Sequence, residues 1–265
     1  MDEFAPFKAQ QKQAWSHFVP FELLTTPVAA RLVRHAGVRP GQRLLDVACG
    51  TGVVAVTASR LGAVVTGLDL TPELLQRARE NAAIAGQSIL WHEGDAEALP
   101  FVDASFDVVT SQFGHMFAPR PQRVVAELLR VLKPGGTLAF ATWPPELFTG
   151  RMFALVSRYA PPQHPAPAPP PLWGDPAVIR ERLGDAVRDI SFDRGCMLAS
   201  ALSPQHHRAN AERSGGPVIR LVEMLAATAP ERLDAFRREY DALTAEYLTD
   251  NQVRQDYLLT RAIKA

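Results

Sequence analysis

Three carboxylates, each at or just beyond the end of a short apolar run, are the residues of this 265-residue chain whose type and spacing could do chemistry. Asp46 stands in the run Arg43 to Val47, Gly50 and Gly52 bracket a tight turn after it, and Val53 to Leu61 then reads as a helix. A buried strand, a glycine turn and a helix N-terminus bring backbone N–H groups close to a bound ligand with no Cβ in the way. A second apolar run, Val64 to Leu68, ends in Asp69, about twenty residues downstream, where nucleotide-binding α/β folds place the carboxylate that takes ribose hydroxyls. Ser88 to His92 is a third run, and Gly94-Asp95 closes it. Gln112 and His115 follow a fourth run, Ser105 to Ser111, on the side where such folds bind ligands. His115 can titrate near neutral pH, which makes it the candidate general base or substrate orienter beside the bland alternative of a loop histidine.

The elements that must position these residues alternate. Thr71 is a good N-cap with Pro72 at the first helical position, Leu74, Leu75, Ala78 and Ala82 form a buried stripe, and Gly86 ends that helix. Pro121 to Leu132 is a helix with Val124, Val125, Leu128 and Leu132 inward, and Thr137 to Trp143 is a fifth strand. Strands alternating with helices at these distances predict a doubly wound, mostly parallel α/β sheet. Before it, Gln11, Trp15 and Phe18 share one helical face, and Pro27 to Ala36 is a second helix. After it, Pro161 to Pro171 is a stiff proline and alanine stretch, Asp175 to Leu183 is helical, and Pro217 to Tyr247 reads as two helices broken near Pro230. Val187–Phe192 and Tyr257–Lys264 read as late strands.

The glycine loop admits two cofactor chemistries. Gly50-Thr51-Gly52-Val53-Val54-Ala55 just satisfies a dinucleotide fingerprint, but Asp46 would then face a pyrophosphate with its own negative charge. S-adenosylmethionine (SAM) has no phosphate and carries a sulfonium and an ammonium, so Asp46 suits it. The stretches Leu45-Asp46-Val47-Ala48-Cys49-Gly50-Thr51-Gly52, Leu68-Asp69, Gly94 to Phe101, Ser105 to Val109 and Leu132-Lys133-Pro134-Gly135-Gly136 together resemble the class I SAM-dependent methyltransferases. The resemblance spans roughly Val38 to Trp143 and is closest to the broad group that includes quinone-biosynthesis C-methyltransferases.

The resemblance implies a Rossmann-like, seven-stranded, mostly parallel sheet with a helical insertion, whose last strand runs antiparallel in a terminal hairpin. It implies an N-terminal helical lid over residues 1–36, a SAM-binding core over 37–145, pocket-forming insertions at 146–184 and 199–250, and sheet-completing strands in 185–198 and 251–265. It also implies residue roles. Asp46 and the Gly50, Thr51 and Gly52 backbone hold the methionine end, Asp69 takes the ribose, Leu70 lies on the adenine, and Asp95 and Ala96 meet its edge; Ala48 and Gln112 are further cofactor-binding candidates. Trp15, His115, Trp143, Phe148 and Trp173 are the candidate substrate contacts, aromatic rings that could equally be core packing. Cys49 reads as a small residue that fits the loop, and His206-His207 as surface residues, because neighbours on a helix point apart and no metal ligands cluster near them.

Composition bounds the partners. Lys plus Arg and Asp plus Glu both number 28, a formal net charge of zero, which recommends no nucleic-acid backbone. Two cysteines exclude a disulfide framework and fit a reducing compartment. The absence of a signal peptide pattern and of a run of about 20 apolar residues makes a cytoplasmic, non-membrane protein the expectation. The expected activity is methyl transfer from SAM to a small molecule, yielding S-adenosylhomocysteine (SAH), with no metal; a homodimer is compatible with the sequence. RNA or protein methylation, a SAM-binding regulator without turnover, and a nicotinamide enzyme remain as the other readings.

Overall fold

The architecture, described for residues 2–214 and 216–265 in a computed structural model, is built on one sheet. Its parallel part consists of β1 (Arg43–Val47), β2 (Val64–Asp69), β3 (Leu90–Glu93), β4 (Phe106–Gln112) and β5 (Leu132–Thr142). Three later strands follow: β6 (Val187–Ser200), β7 (Leu248–Thr249) and β8 (Gln252–Lys264). The order is β3-β2-β1-β4-β5-β8-β6, with β8 antiparallel to both neighbours and β7 paired to β8. The strand order reverses at β1, which has β2 on one side and β4 on the other, and ligands bind in the crevice at such a switch point. The seven-strand path is as expected; β7 is an eighth, two-residue strand.

Near-continuous apolar runs make the central strands, as burial on both faces requires. Leu44, Leu45, Val47, Val108, Val109, Leu138, Phe140 and Leu259 are all fully buried. Helices α2 (Glu22–Ala36), α3 (Val53–Arg60), α4 (Pro72–Ile84) and α5 (Pro121–Val131) cover the parallel part. Helix α4 buries the expected stripe of Leu74, Leu75, Ala78 and Ala82. Thr71 caps it by position only; its N–H donates to Asp69 Oδ1, at 2.8 Å, and its side chain makes no capping bond. Helix α2 starts five residues before the expected Pro27, which sits inside it. Proline there removes only the bond to the carbonyl of Leu23, a residue on the exposed side of the helix.

The antiparallel pair is longer than the strand cores Val187–Phe192 and Tyr257–Lys264 read from the sequence. β6 runs on to Ser200 and β8 begins at Gln252, so Cys196 to Ser200 pair with Gln252 to Asp256 beyond the reach of β5. Arg254 and Asp256 give that extension the look of a loop, yet it is laddered throughout. Helices α6 (Phe148–Tyr159) and α7 (Pro176–Leu183) precede β6, and α8 (Pro204–Ser214), α9 (Gly216–Thr228) and α10 (Pro230–Ala245) lie between β6 and β7. Helices α6, α9 and α10 share a separate core of Leu155, Val156, Val218, Leu221, Leu225, Leu233, Phe236 and Tyr240. The N-terminal helix α1 (Ala5–Trp15) touches α9, and Phe18 lies beyond its end, in the turn leading to a short 3-10 segment at Val19–Phe21. Among the described residues, no helix is long and apolar enough to cross a membrane.

Candidate active site

A cavity of about 920 Å³ lies over the C-terminal ends of β1, β2, β4 and β5. Its floor is the loop after β1, where Ala48, Cys49, Gly50 and Thr51 line it together with Asp46 and Asp69. The loop is tightly constrained. Ala48 has φ of 53°, and a Cβ at Gly114 would come within 2.4 Å of the Ala48 Cβ, so the turn after β4 must be glycine to lie this close. Gly52 does not line the cavity. It has φ of 80° and backs onto Trp91, 2.7 Å from where its Cβ would sit, so its duty is to turn the chain into α3.

Asp46 and Asp69 are almost entirely buried. Asp46 accepts from Ala55 N–H in the first turn of α3 at 3.1 Å and from the Thr110 hydroxyl at 3.1 Å, and burial pushes its carboxyl up to about 7. Asp69 accepts from Gly50 N–H and Thr71 N–H, both at 2.8 Å, and burial raises its carboxyl above the ordinary value too. Each oxygen of Asp69 keeps a lone pair free for a ligand hydroxyl. Burial and the two acids push the Cys49 thiol well up, so it stays a thiol and is no nucleophile.

Helix α1 is tied by charge across the side of this cavity next to β3. Lys8 Nζ lies 2.6 Å from Asp95, 2.7 Å from Glu97 and 2.9 Å from Asp2, filling the space among carboxylates that otherwise converge. Lys12 pairs with Glu93 at the end of β3. Arg120 holds Glu97 from the other side, with its backbone N–H on Oε1 at 2.7 Å and Nε on Oε2 at 2.8 Å. Asp95 is therefore already engaged by Lys8 and by the Glu97 N–H.

Of the residues singled out in the sequence, Asp46, Ala48, Gly50, Thr51, Asp69, Leu70, Asp95, Ala96, Gln112, Trp15, Trp143 and Phe148 converge on the cavity. His115 and Trp173 do not, and their expected roles are corrected. His115 is fully buried, edge-on to Phe140 and Trp173 at 4.9 and 4.6 Å, and neither ring nitrogen has a partner. Burial drives its pKa down to about 3, and it does not line the cavity, so it is a core histidine rather than a base. Trp173 is likewise core, and its carbonyl accepts from the Thr142 hydroxyl at 2.8 Å. The spacing after β4 could not reveal this, because the chain turns inward at Phe113, whose φ is 61° and whose ring stacks on Trp143 at 3.8 Å.

The sequence reading also missed wall residues. His207 is half-buried against Phe148 and Tyr240 instead of lying on the surface, and both it and Tyr240 line the cavity. Met197 and Gln255 reach the cavity from the part of the β6–β8 pair that runs beyond Phe192 and before Tyr257. One signal was present: Leu233, Phe236, Tyr240 and Leu243 recur at helical spacing, marking Tyr240 as inward-facing. Three polar atoms in the cavity wall, Gln11 Oε1, Gln112 Oε1 and Thr149 Oγ1, are buried without a partner. Buried polar atoms of this kind are ordinarily satisfied, so they suit a bound ligand.

Comparison with known proteins agrees with this geometry. Residues 45–140 match the methyltransferase domain family. Over 245 residues the chain is 40% identical to the Mycobacterium tuberculosis (strain H37Rv) protein Rv1403c, covering 92% of this chain and 89% of that protein. Over 104 residues it is 48% identical to the ubiquinone/menaquinone biosynthesis C-methyltransferase UbiE of Ruegeria sp. (strain TM1040), covering 38% of this chain and 42% of UbiE. The fold is shared with phosphoethanolamine N-methyltransferase 2 of Haemonchus contortus, solved with phosphomonomethylethanolamine and SAH, at a TM-score of 0.59 and 19% identity over 93% of this chain and 56% of that one. The chain belongs to the class I SAM-dependent methyltransferases, and SAM is its cofactor.

Proposed function

We propose that this methyltransferase acts on a small molecule held in the same cavity as SAM. The observation that carries the reading is the cavity wall: Trp143, Phe148, Met152 and Phe153 on the insertion side and Trp15 and Phe18 on the α1 side enclose a space of about 920 Å³. Enclosed, largely apolar clefts of this size suit small ligands rather than an RNA or protein surface. SAM supplies a methyl group already activated on a sulfonium, so the chain's task is position and exclusion of water. In an in-line displacement the acceptor atom forms the new bond to carbon as the sulfur–carbon bond breaks, and any proton on the acceptor leaves to solvent or a wall group.

In this reading Asp69 takes the ribose hydroxyls, Asp46 and the Ala48 to Thr51 backbone face the methionine end, and Leu70, Asp95 and Ala96 surround the adenine. Gln112 Oε1 accepts from the cationic end, since its Nε2 is already spent on the carbonyl of Thr25 at 3.0 Å. Residues 1–36 act as a lid, with Lys8 as its fastening, and the insertions form the acceptor pocket. Incubation with SAM and a protein-free, RNA-free metabolite fraction should produce SAH. Turnover only with the macromolecular fraction would overturn the reading.

Asp46 supplies a second expectation. A carboxyl held near 7 is about half protonated at pH 7 in the free protein. A cationic ligand beside it favours the charged form, so SAM binding should release roughly half a proton at pH 7. The sign follows: affinity should rise as pH climbs towards 7 and level off above it. Calorimetry at pH 7 in buffers of different ionisation enthalpy measures the proton count; heats independent of buffer would remove Asp46 from the cationic end.

A further inference from the structure

The acids assigned to the cofactor lie at or just beyond the ends of the parallel strands, and the insertion side of the cavity mixes apolar rings with polar groups, Asn210, Arg213 and Gln255 among them. Another is His207 on α8, whose ring lies edge-on to Phe148 at 5.4 Å and nearly parallel to Tyr240 at 5.9 Å. Its Nδ1 is 3.4 Å from the hydroxyl of Tyr240, a residue 2% exposed on α10. Among the described residues that hydroxyl has no other partner, and the pairing in which it donates to Nδ1 is the one that puts the ring proton on Nε2. Burial and the neighbouring His206 hold His207 down at about 4, so the ring is neutral at physiological pH. A neutral imidazole that accepts at Nδ1 carries its one proton on Nε2. Nε2 makes no hydrogen bond to the described residues. Close by in sequence to Phe148 is another such group, the Thr149 hydroxyl, which is 7% exposed, unpartnered and also in the cavity wall.

We propose that His207 is a substrate-binding residue whose Nε2–H donates to an oxygen, carbonyl or phenolate, of a flat and otherwise apolar acceptor, with Tyr240 fixing the tautomer. The proposal rests on the small-molecule reading above and narrows it to a substrate class. A pure hydrocarbon would leave the imidazole N–H dry and unpaired, which disfavours it. An ammonium would bring a donor to a donor. Phe148 and Trp143 both line the cavity and offer flat apolar contact to an acceptor of this kind. Neutrality matters as well: a ring that stays uncharged can sit in this wall without a counter-ion.

A matched pair of probes tests it in the full chain saturated with SAH. 2-Acetylnaphthalene offers a carbonyl, and 2-ethylnaphthalene has nearly the same shape with no acceptor. The ratio of their affinities, ketone over hydrocarbon, should fall about tenfold on His207→Phe, the loss of one hydrogen bond of ordinary strength. Tyr240→Phe should lower the ratio partway, because Nδ1 loses the donor that selects the tautomer. SAH affinity, read by calorimetry on the same samples, should be unchanged in both variants, which also reports that they are folded. A wild type that binds neither probe, or a ratio unmoved by His207→Phe, overturns the proposal. A Tyr240→Phe variant with an undiminished ratio overturns the tautomer assignment. Wild-type protein that fails to bind SAH at all would instead strike the methyl-transfer reading, so the two failures are distinct.

Discussion

Asp69→Ala should weaken SAM binding by about 1.5–3 kcal/mol, roughly 10- to 150-fold, in a protein that still folds. Hydrogen bonds from ribose hydroxyls to a carboxylate are charge-assisted and stronger than neutral ones. The carboxylate has a second duty that adds to the effect. Its two oxygens hold Gly50 N–H and Thr71 N–H at 2.8 Å, joining the loop after β1 to the loop after β2. Alanine leaves both N–H groups without this acceptor, and a buried donor left unpaired costs about 1–3 kcal/mol. Calorimetry gives the affinity and thermal unfolding gives the stability loss. Asp69→Asn separates the two roles, since its single carbonyl oxygen can keep one N–H but carries no charge. Unchanged SAM affinity in a folded Asp69→Ala variant would falsify the ribose assignment.

The second large effect is on stability. Arg120→Gln should cost about 3 kcal/mol, because it leaves a buried carboxylate short of a counter-ion. The Glu97 side chain is 1% exposed, and its charge is balanced by Arg120 on one side and Lys8 on the other. Arg120 also binds Asp2 at 2.9 Å and lies 5.3 Å over the Phe4 ring, so its loss loosens the start of the chain and the seat of α1 as well. For a chain of this size the expected fall in melting temperature is roughly 6–12 °C. Lys8 remains to hold Glu97, which keeps the estimate at the lower end for a broken buried pair. The double substitution Arg120→Gln with Glu97→Gln removes both charges and should recover part of the loss. A single variant as stable as the wild type would show that water already shields Glu97.

Local signals carried the nucleotide half of this protein into view. Apolar runs ending in or near acids, a glycine pair at a turn and proline and glycine stops at helix ends are all properties of short stretches. They placed β1 to β5, the stripe on α4 and the positions of Asp46, Asp69 and Asp95. The insertion side of the cavity was less legible for the opposite reason. Arg254 and Asp256 lie in a strand because β6 supplies the partner, not because their own types favour one. His207 looked like half of a surface pair, and only the packing of α8 on α10 turns it towards the cavity. His115 stood at the right place in the sequence, yet a left-handed turn at Phe113 and the arrival of Trp173 from nearly sixty positions further on bury it. What the sequence by itself determined is the fold class and the cofactor, because a strand, a turn and a helix cap are specified within a dozen residues. Which side chains line the far wall of the cavity was decided only by the tertiary structure, because elements brought together from opposite ends of the chain build that wall.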